Sequence, residues 1–172
     1  LRKDTIGHMS CNPAIGGVGK GQLVKEIDAL GGEMAKAADA CGIQFRMLNA
    51  SKGPAVQSSR AQIDRKLYNE YMGRVVLGQE RLTVLETEAK ELISRDNSVI
   101  GIVTGENEQI LAKAVVICSG TFLNGLIHVG MRHFAGGRIE ERAAVDLDTS
   151  LRSLGLELLR FKTGTCPRLD TK

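Results

Sequence analysis

The sequence has no tryptophan, and aromatic residues make up only 3% of its 172 residues. Because binding of single-stranded nucleic acid by base stacking needs exposed aromatic side chains, this composition argues against a stacking platform. Long apolar runs are absent as well: the longest, AVVIC at 114–118, is far shorter than the ~20 residues that cross a bilayer. No signal-peptide pattern opens the chain. We therefore expect one soluble domain with no membrane association.

Clustered metal ligands are also lacking. The four cysteines stand at positions 11, 41, 118 and 166 and never form C-x-x-C, which argues against a zinc knuckle or a dithiol redox motif. The three histidines, at 8, 128 and 133, have no ligand spacing, so the sequence predicts no metal site. We expect His128 to pack within a strand and His133 to be exposed. Isolated cysteines of this kind indicate a reducing compartment.

No excess of one charge dominates the chain, whose formal net charge is +3, but the charges are unevenly distributed. The stretch 44–81 has seven basic and three acidic residues, whereas 82–111 has two basic and six acidic. A basic first half is compatible with phosphate ligands, although a solvated helix face is the commoner cause of such a pattern.

Hydrophobic periodicity predicts two helices in the first half of the chain. Leu23, Ile27, Leu30 and Met34 share one face of a helix from about Gly21 to about Ala40. A spacing of four apolar positions predicts a second helix from Ser59 to about Met72.

Short β-rich runs follow at 83–86, 91–94 and 98–104, with turn residues between them, and indicate a β-meander. The apolar run 114–120 is typical of a buried strand in a parallel sheet. We expect a glycine-rich exposed loop at 130–138, a helix at 147–154 that ends at Gly155, and a short strand at 156–161. The order of elements predicts an α/β domain whose central parallel sheet includes 114–120.

Four glycines precede the first predicted helix in SCNPAIGGVGKG, residues 10–21. The spacing matches neither the Walker A motif nor G-x-G-x-x-G, so no standard phosphate loop is present. Glycines before a helix let the backbone approach an anionic or planar ligand, with free amides pointing at it; a flexible helix entry is the alternative. Cys11 lies in this loop, and a thiol near a helix N-terminus with Lys20 nearby could act as a nucleophile. The alternative is a structural role, which isolated cysteines have more often.

Four stretches resemble successive signature blocks of one protein family. They are MSCNPAIGGVGKGQLVKEIDALGG (9–32), GIQFRMLNASKGPAVQSSRAQIDRKLY (42–68), AKAVVICSGTFLNGLIHVG (112–130) and FKTGTCPR (161–168). In order and spacing they are similar to the MnmG (GidA) family, flavoproteins that modify the wobble uridine of certain tRNAs. The similarity extends over essentially the whole chain. One departure is Cys166, where the family usually has proline.

The resemblance implies a Rossmann-type FAD-binding domain of the glutathione-reductase-like class with a β-meander, incomplete at its N-terminus. Residues 1–146 would be a partial FAD-binding domain that lacks the N-terminal G-x-G-x-x-G unit. Residues 147–172 would be the end of that domain and the start of an inserted NAD(H)-binding domain. We expect such a fragment to be inactive alone.

The resemblance also implies site residues. Cys11 would be the catalytic cysteine, with the adjoining loop beside the isoalloxazine ring. The implied FAD contacts are Asn12, Pro13, Ala14, Ile15, Gly16, Gly17, Ala89, Ser119, Gly120, Thr121 and Ala144. The basic residues that we expect to contact tRNA are Lys20, Lys25, Arg46, Lys52, Arg60, Arg65, Lys162 and Arg168, with Lys52 and Arg60 as the first choices. Lys162 and Arg168 would alternatively serve phosphates of the nicotinamide cofactor.

The implied activity adds an aminomethyl or carboxymethylaminomethyl group to C5 of the wobble uridine. NADH would reduce FAD, methylenetetrahydrofolate would supply the one-carbon unit, and a thiolate would add to the neighbouring ring position. The implied partners are tRNA, an MnmE-type GTPase and a second copy in a homodimer. The location would be the bacterial cytoplasm, or the mitochondrial matrix for an organellar protein.

Two other functions remain open. One is a related flavoprotein that uses folate and FAD to methylate tRNA uridine, although the KGPAV and RAQIDRKLY blocks favour the modification enzyme. The other is a noncatalytic nucleic-acid-binding module.

Overall fold

The computed structural model describes residues 2–9, 12–162 and 164. The chain divides into two compact units. The first unit comprises Arg2–Val84, together with Gly164, and the second comprises the described residues from Leu85 to Lys162. No helix among the described residues is long and apolar enough to cross a membrane.

The first unit packs three helices around a small antiparallel sheet. Its strands are β1 (Ala14–Gly16), β2 (Gly42–Leu48) and β3 (Ser58–Ile63), and its helices are α1 (Gly21–Ala29), α2 (Glu33–Cys41) and α3 (Arg65–Gly78). The strand order is β1-β3-β2, so β3 lies in the centre and pairs antiparallel with both neighbours. The buried core consists of Ile15, Ala37, Ala38, Cys41, Ala61, Ile63 and Tyr68. These residues come from all three layers of the unit: the sheet, α2 and α3.

The helix predicted over 21–40 is divided in two. Gly31 has a φ of +85°, which an L-residue rarely adopts, and its amide donates to the carbonyl oxygen of Asp28 at 2.8 Å. The Gly32 amide donates to the carbonyl oxygen of Ile27 at 2.9 Å, which completes a glycine-based C-terminal cap. The predicted apolar face does not pack into the core, since Leu30 is 89% exposed.

The helix predicted over 59–72 is wrong at its start, because Ser58–Ile63 form β3. The helix α3 begins only after Asp64, whose side chain accepts hydrogen bonds from the amides of Lys66 and Leu67, both at 2.9 Å. This N-cap satisfies two donors that the first helical turn would otherwise leave without an acceptor.

The second unit contains the predicted meander. Its elements are β4 (Ala89–Arg95), β5 (Ser98–Thr104), β6 (Gln109–Leu111), β7 (Leu126–Val129), β8 (Arg132–Ala135) and α4 (Val145–Ser153). Strands β4, β5 and β6 form an antiparallel sheet in that order, and α4 packs Leu147 and Leu151 against Leu92 of β4. Asp96 and Asn97 both have positive φ, the backbone of a two-residue hairpin turn. The meander over 91–104 and the C-terminal helix ending before Gly155 are thereby confirmed.

Other predicted features of the second unit are wrong. The segments 83–86, 114–120 and 156–161 are not strands. Within the described residues every ladder between strands is antiparallel, so the neighbours that a parallel strand at 114–120 requires are not among them. The first part of the predicted loop at 130–138 instead forms the turn and second strand of the β7–β8 hairpin. In this hairpin His128 and His133 are cross-strand partners. His133 is exposed as expected, but His128 is exposed too, and its ring lies beside that of His133 with the centroids 5.9 Å apart.

Candidate functional site

The glycine loop between β1 and α1 has an unusual backbone. Gly16, Gly17 and Gly19 have φ values of +85°, +101° and +72°, a region that only glycine adopts at little cost. A methyl group at Gly16 would overlap the carbonyl oxygen of Ser59 on β3. The chain therefore requires glycine here to bring β1 against the central strand.

Hydrogen bonds fix this loop on β3. The Gly17 amide donates to the Ser59 carbonyl oxygen at 2.9 Å. The Gly17 carbonyl oxygen accepts from the Ser58 hydroxyl at 2.6 Å and from the amides of Lys20 and Gly21 at 2.9 and 2.7 Å. The loop is thus an ordered turn rather than a flexible helix entry. The expectation that its amides are free for a ligand is wrong for Gly17, Lys20 and Gly21.

Open space adjoins the loop at one point. Gly17 is buried, yet a methyl group built on it would meet no atom within 4 Å. A side chain at this position would therefore meet no steric contact, and the approach of a ligand to this loop stays a prediction.

The predicted catalytic Cys11 lies outside the described residues, but the segment that follows it is anchored to β3. The carbonyl oxygen of Pro13 accepts from the Ile63 amide at 2.7 Å. The side-chain oxygen of Asn12 accepts from Nε2 of Gln62 at 3.0 Å. The role of Cys11 stays a prediction, and its C-terminal neighbours are held firmly by the central strand.

A second thiol in the first unit is not reactive. Cys41 is 4% exposed in the core, and burial raises the pKa of its thiol, with a further contribution from the charge of Asp64. A raised pKa keeps the sulfur protonated and therefore a poor nucleophile. Cys118 of the second unit is exposed, and Cys166 lies outside the described residues.

The sheet of the first unit brings two predicted tRNA contacts together. Arg60 on β3 is the direct partner of Arg46 on β2 and of Gly16 on β1, so the three positions form one row across the strands. Nη2 of Arg60 donates to Oε1 of Gln62 at 3.4 Å, and Gln62 in turn donates to Asn12. A polar chain therefore connects the arginine row with the residue after Cys11.

The remaining predicted basic contacts are more dispersed. Lys20, Lys25 and Lys52 are exposed in the first unit, and Arg65 is the first residue of α3. The loop that carries Lys52 is well ordered, because Nε2 of Gln57 donates to the Lys52 carbonyl oxygen at 3.0 Å. Lys162 is exposed in the second unit, and Arg168 lies outside the described residues.

Four of the predicted FAD contacts of the second unit, Ser119, Gly120, Thr121 and Ala144, lie close together, and the fifth, Ala89, is on β4. Gly120 opens a 3₁₀ turn, Gly120–Phe122, with a φ of +54°. The Ala144 amide donates to the Phe122 carbonyl oxygen at 2.8 Å, so Ala144 lies beside the turn that contains Gly120 and Thr121 and follows Ser119. Ala89 is the first residue of β4 and pairs with Thr104. Their contacts with FAD stay predictions.

Comparison with known proteins identifies the family. The sequence profile described as Glucose inhibited division protein A matches residues 1–172, the entire chain. The chain belongs to the GidA family. The crystal structure of Aquifex aeolicus GidA superposes with a TM-score of 0.88 at 52% identity, covering 96% of this chain and 28% of the other. This likeness confirms the predicted Rossmann-type α/β class.

Two curated relatives carry the name tRNA uridine 5-carboxymethylaminomethyl modification enzyme MnmG. The protein from Campylobacter fetus is 53% identical over 98% of this chain, and the protein from Desulfotalea psychrophila is 54% identical over 99%. The chain spans 27% and 26% of their respective lengths. It therefore corresponds to about a quarter of a GidA-family protein.

Sequence reasoning missed the residues of β3 that organise the site. Ser58, Ser59 and Gln62 hold the glycine loop and Asn12, but the segment was predicted to be helical. The signal that could have identified the strand is the pair of buried apolar residues Ala61 and Ile63, two positions apart and followed by the strong N-cap Asp64.

Proposed function

We propose that this chain is the part of an FAD-dependent tRNA-modifying enzyme that holds the catalytic loop beside the flavin. The reaction adds an aminomethyl or carboxymethylaminomethyl group to C5 of the wobble uridine. The observation that carries the proposal is the glycine loop: it is locked to β3 yet borders open space at Gly17. Membership of the GidA family and the names of the two relatives support the choice of reaction.

The residues present fit a flavin. A methyl group built on Gly17 would meet no atom within 4 Å, which is compatible with a ligand close to the backbone there, and Nδ2 of Asn12 has no hydrogen-bond partner among the described residues. We assign Asn12–Gly17 to the ring and Ala89, Ser119–Thr121 and Ala144 to other parts of FAD. When bound, the flavin supplies hydride transfer. We also propose that residues 1–146 are a partial FAD-binding domain and that 147–172 are the end of that domain and the start of an inserted NAD(H)-binding domain.

Cys11 is the proposed nucleophile. Its thiolate would add to C6 of the uridine, the ring carbon next to C5, so that the electron pair of the C5–C6 double bond forms the new bond from C5 to the one-carbon unit. Loss of the C5 proton would then expel the thiolate and restore the double bond. Pro13 and Asn12 position this cysteine through their hydrogen bonds to Ile63 and Gln62.

The co-substrates and partners follow from the same proposal. NADH reduces the flavin, and methylenetetrahydrofolate supplies the one-carbon unit. The complete enzyme is a homodimer that works with an MnmE-type GTPase, in the bacterial cytoplasm or the mitochondrial matrix. Basic residues of the first unit contact tRNA phosphates.

Flavin content and uridine modification test the proposal. The complete gene product should purify yellow or be reconstituted by FAD, and it should modify a tRNA transcript that has uridine at the first anticodon position. Cys11→Ser should keep FAD but lose modification. A matched control, Cys118→Ser, removes an exposed thiol of the second unit and should keep both.

One result would contradict the proposed enzyme, and another would contradict only the role of Cys11. A colourless protein that binds tRNA and cannot take up FAD would favour the noncatalytic module. Full modification by Cys11→Ser would leave the enzyme assignment intact but return Cys11 to a structural role.

A further inference from the structure

Two arginines lie side by side on the first sheet, and neither has a carboxylate partner in the part of the chain that the structure describes. Arg46 and Arg60 are direct cross-strand neighbours on β2 and β3. The sequences of β1, β2 and β3 contain no aspartate or glutamate. Neither arginine forms an ion pair with another of the described residues. Like charges in directly opposed positions destabilise a strand pair, so an uncompensated pair of this kind indicates an anionic ligand.

We propose that Arg46 and Arg60 together hold one phosphodiester group of the RNA substrate, an assignment that rests on the function proposed above. Guanidinium groups present planar forks of donors that match phosphate oxygens. Adjacent strands are about 4.8 Å apart, which lets two long side chains converge on one phosphate. Arg60 is half-buried and oriented by Gln62, whereas Arg46 is exposed and free to close on the ligand.

An RNA backbone fits this surface better than the phosphates of a cofactor. Cofactor phosphates are usually enclosed by a glycine-rich turn at a helix N-terminus, and here the amides of Lys20 and Gly21 are already bonded to Gly17. The arginine pair lies instead on the strands themselves, where Arg46 is exposed. The β2–β3 loop carries one more exposed basic residue, Lys52. Such open basic surfaces track a nucleic-acid backbone.

The pair would also set the register of the substrate. Arg60 donates to Gln62, Gln62 donates to Asn12, and Asn12 follows Cys11 in the chain. A phosphate held by the pair therefore fixes its nucleotide relative to the segment that carries the proposed nucleophile. Because phosphate contacts position without specifying sequence, the pair would orient the RNA while other groups recognise the base.

A salt titration of tRNA binding tests the assignment in the complete, FAD-loaded gene product. The variants are Arg46→Ala, Arg60→Ala and the double variant, and the ligand is a tRNA transcript with uridine at the first anticodon position. Arg95→Ala is the matched control, because Arg95 is an exposed arginine at the end of β4 in the second unit. Flavin content and melting temperature are measured on every variant.

If both arginines bind one phosphate, the effects of the two single variants on tRNA affinity should not be independent. The double variant should bind about five- to eightfold more weakly at 0.1 M salt, and its slope of log Kd against log salt should fall by about 0.7–0.9. Each single variant should already show most of this loss, so the two effects do not multiply. Melting temperatures should not fall, since each variant removes a like-charge contact. Arg95→Ala should bind as the wild type does.

Three outcomes would overturn the assignment. Affinity and slope equal to those of Arg95→Ala would make the pair ordinary surface charge. Loss of flavin with unchanged tRNA affinity in the remaining FAD-loaded protein would assign the pair to a cofactor phosphate. Two independent losses that multiply would mean that the arginines contact different groups. If the wild type itself bound no tRNA, the proposed function would fail and this assignment with it.

Discussion

Replacing Gly16 by alanine tests whether the glycine loop is locked to the central strand. The φ of +85° at this position costs an alanine about 1–2 kcal/mol. The new methyl group would also overlap the Ser59 carbonyl oxygen, which accepts from the Gly17 amide at 2.9 Å. Relieving the overlap moves β1 away from β3 and weakens that hydrogen bond, which contributes about 0.5–1.5 kcal/mol. We expect a total loss of about 1.5–3.5 kcal/mol in local stability, the sum of these two effects.

Two other glycines separate the contributions. Gly19 has a φ of +72° but no atom within 4 Å of an added methyl group, so Gly19→Ala should cost only the backbone strain of about 1–2 kcal/mol. Gly53 has a φ of −64° and the same open space. Gly53→Ala should therefore be neutral or stabilise the protein by up to about 1 kcal/mol. The expected order of destabilisation is Gly16, then Gly19, then Gly53.

Hydrogen exchange followed by mass spectrometry measures this order in the complete gene product. Exchange reports local opening and does not require that a multidomain protein unfold in one step. For peptides that contain Gly17 and β3, a loss of about 1.5–3.5 kcal/mol corresponds to roughly 10- to 300-fold faster exchange. Equal exchange in Gly16→Ala and Gly19→Ala would refute the reasoning, because it would mean that no contact with Ser59 limits this position.

Three further changes test individual hydrogen bonds. Tyr71→Phe removes the 2.7 Å hydrogen bond from the Tyr71 hydroxyl to Glu33, which is the largest cause of the lowered pKa of the Glu33 carboxyl. The stability that this bond contributes is present above the ordinary glutamate pKa and is lost as the pH falls through the lowered pKa of Glu33. Variant and wild type should therefore differ in melting temperature at pH 7 and converge at acidic pH. Asp64→Ala should cost about 1 kcal/mol by removing the cap of α3, whereas Asp64→Asn should cost less, which denaturant melts would measure. Ser150→Ala leaves the buried Leu92 amide without the hydroxyl that accepts from it at 2.9 Å, and it should cost about 1–3 kcal/mol and raise hydrogen exchange in β4.

Local signals in the sequence account for the elements that were predicted well. The Asp96–Asn97 turn fixes the β4–β5 hairpin, and Gly155, with a φ of +84°, ends α4. The break between α1 and α2 has an equally local cause, the Gly31–Gly32 pair. The sequence analysis missed this break because the helical spacing of apolar residues continues across it to Met34. Apolar periodicity alone does not indicate where the backbone turns.

Long-range pairing could not be predicted from the sequence. The strand β3 exists because it pairs with β1 and β2, which precede it by many residues, and a helical spacing of apolar positions concealed it. The register that sets Arg60 opposite Arg46 runs unbroken from the Gln44–Gln62 pair to the Leu48–Ser58 pair, and a bulge shifts only the pair at Gly42. Such a register depends on how the loop between β2 and β3 closes, which no local apolar pattern reveals.

The apolar run at 114–120 was predicted to be a buried strand, and this prediction is wrong. Its composition indicates burial, yet Val116 is 84% exposed, and no strand among the described residues pairs with the run. Burial needs a partner as well as an apolar side chain. An apolar run therefore indicates that a segment favours burial, but it does not show whether neighbouring residues cover the segment.

The central strand β3 unites the parts of the candidate site. The backbone of Ser59 holds the glycine loop, Ile63 and Gln62 hold the segment after Cys11, and the Arg60 side chain lies on the same strand. A rigid strand fixes such groups relative to one another more closely than three separate loops would. A change that displaces β3 should therefore disturb the loop, the cysteine segment and the arginine pair together, whereas Arg60→Ala should leave the hydrogen bonds between the glycine loop and the β3 backbone in place. This difference separates damage to the framework of the site from loss of a single contact.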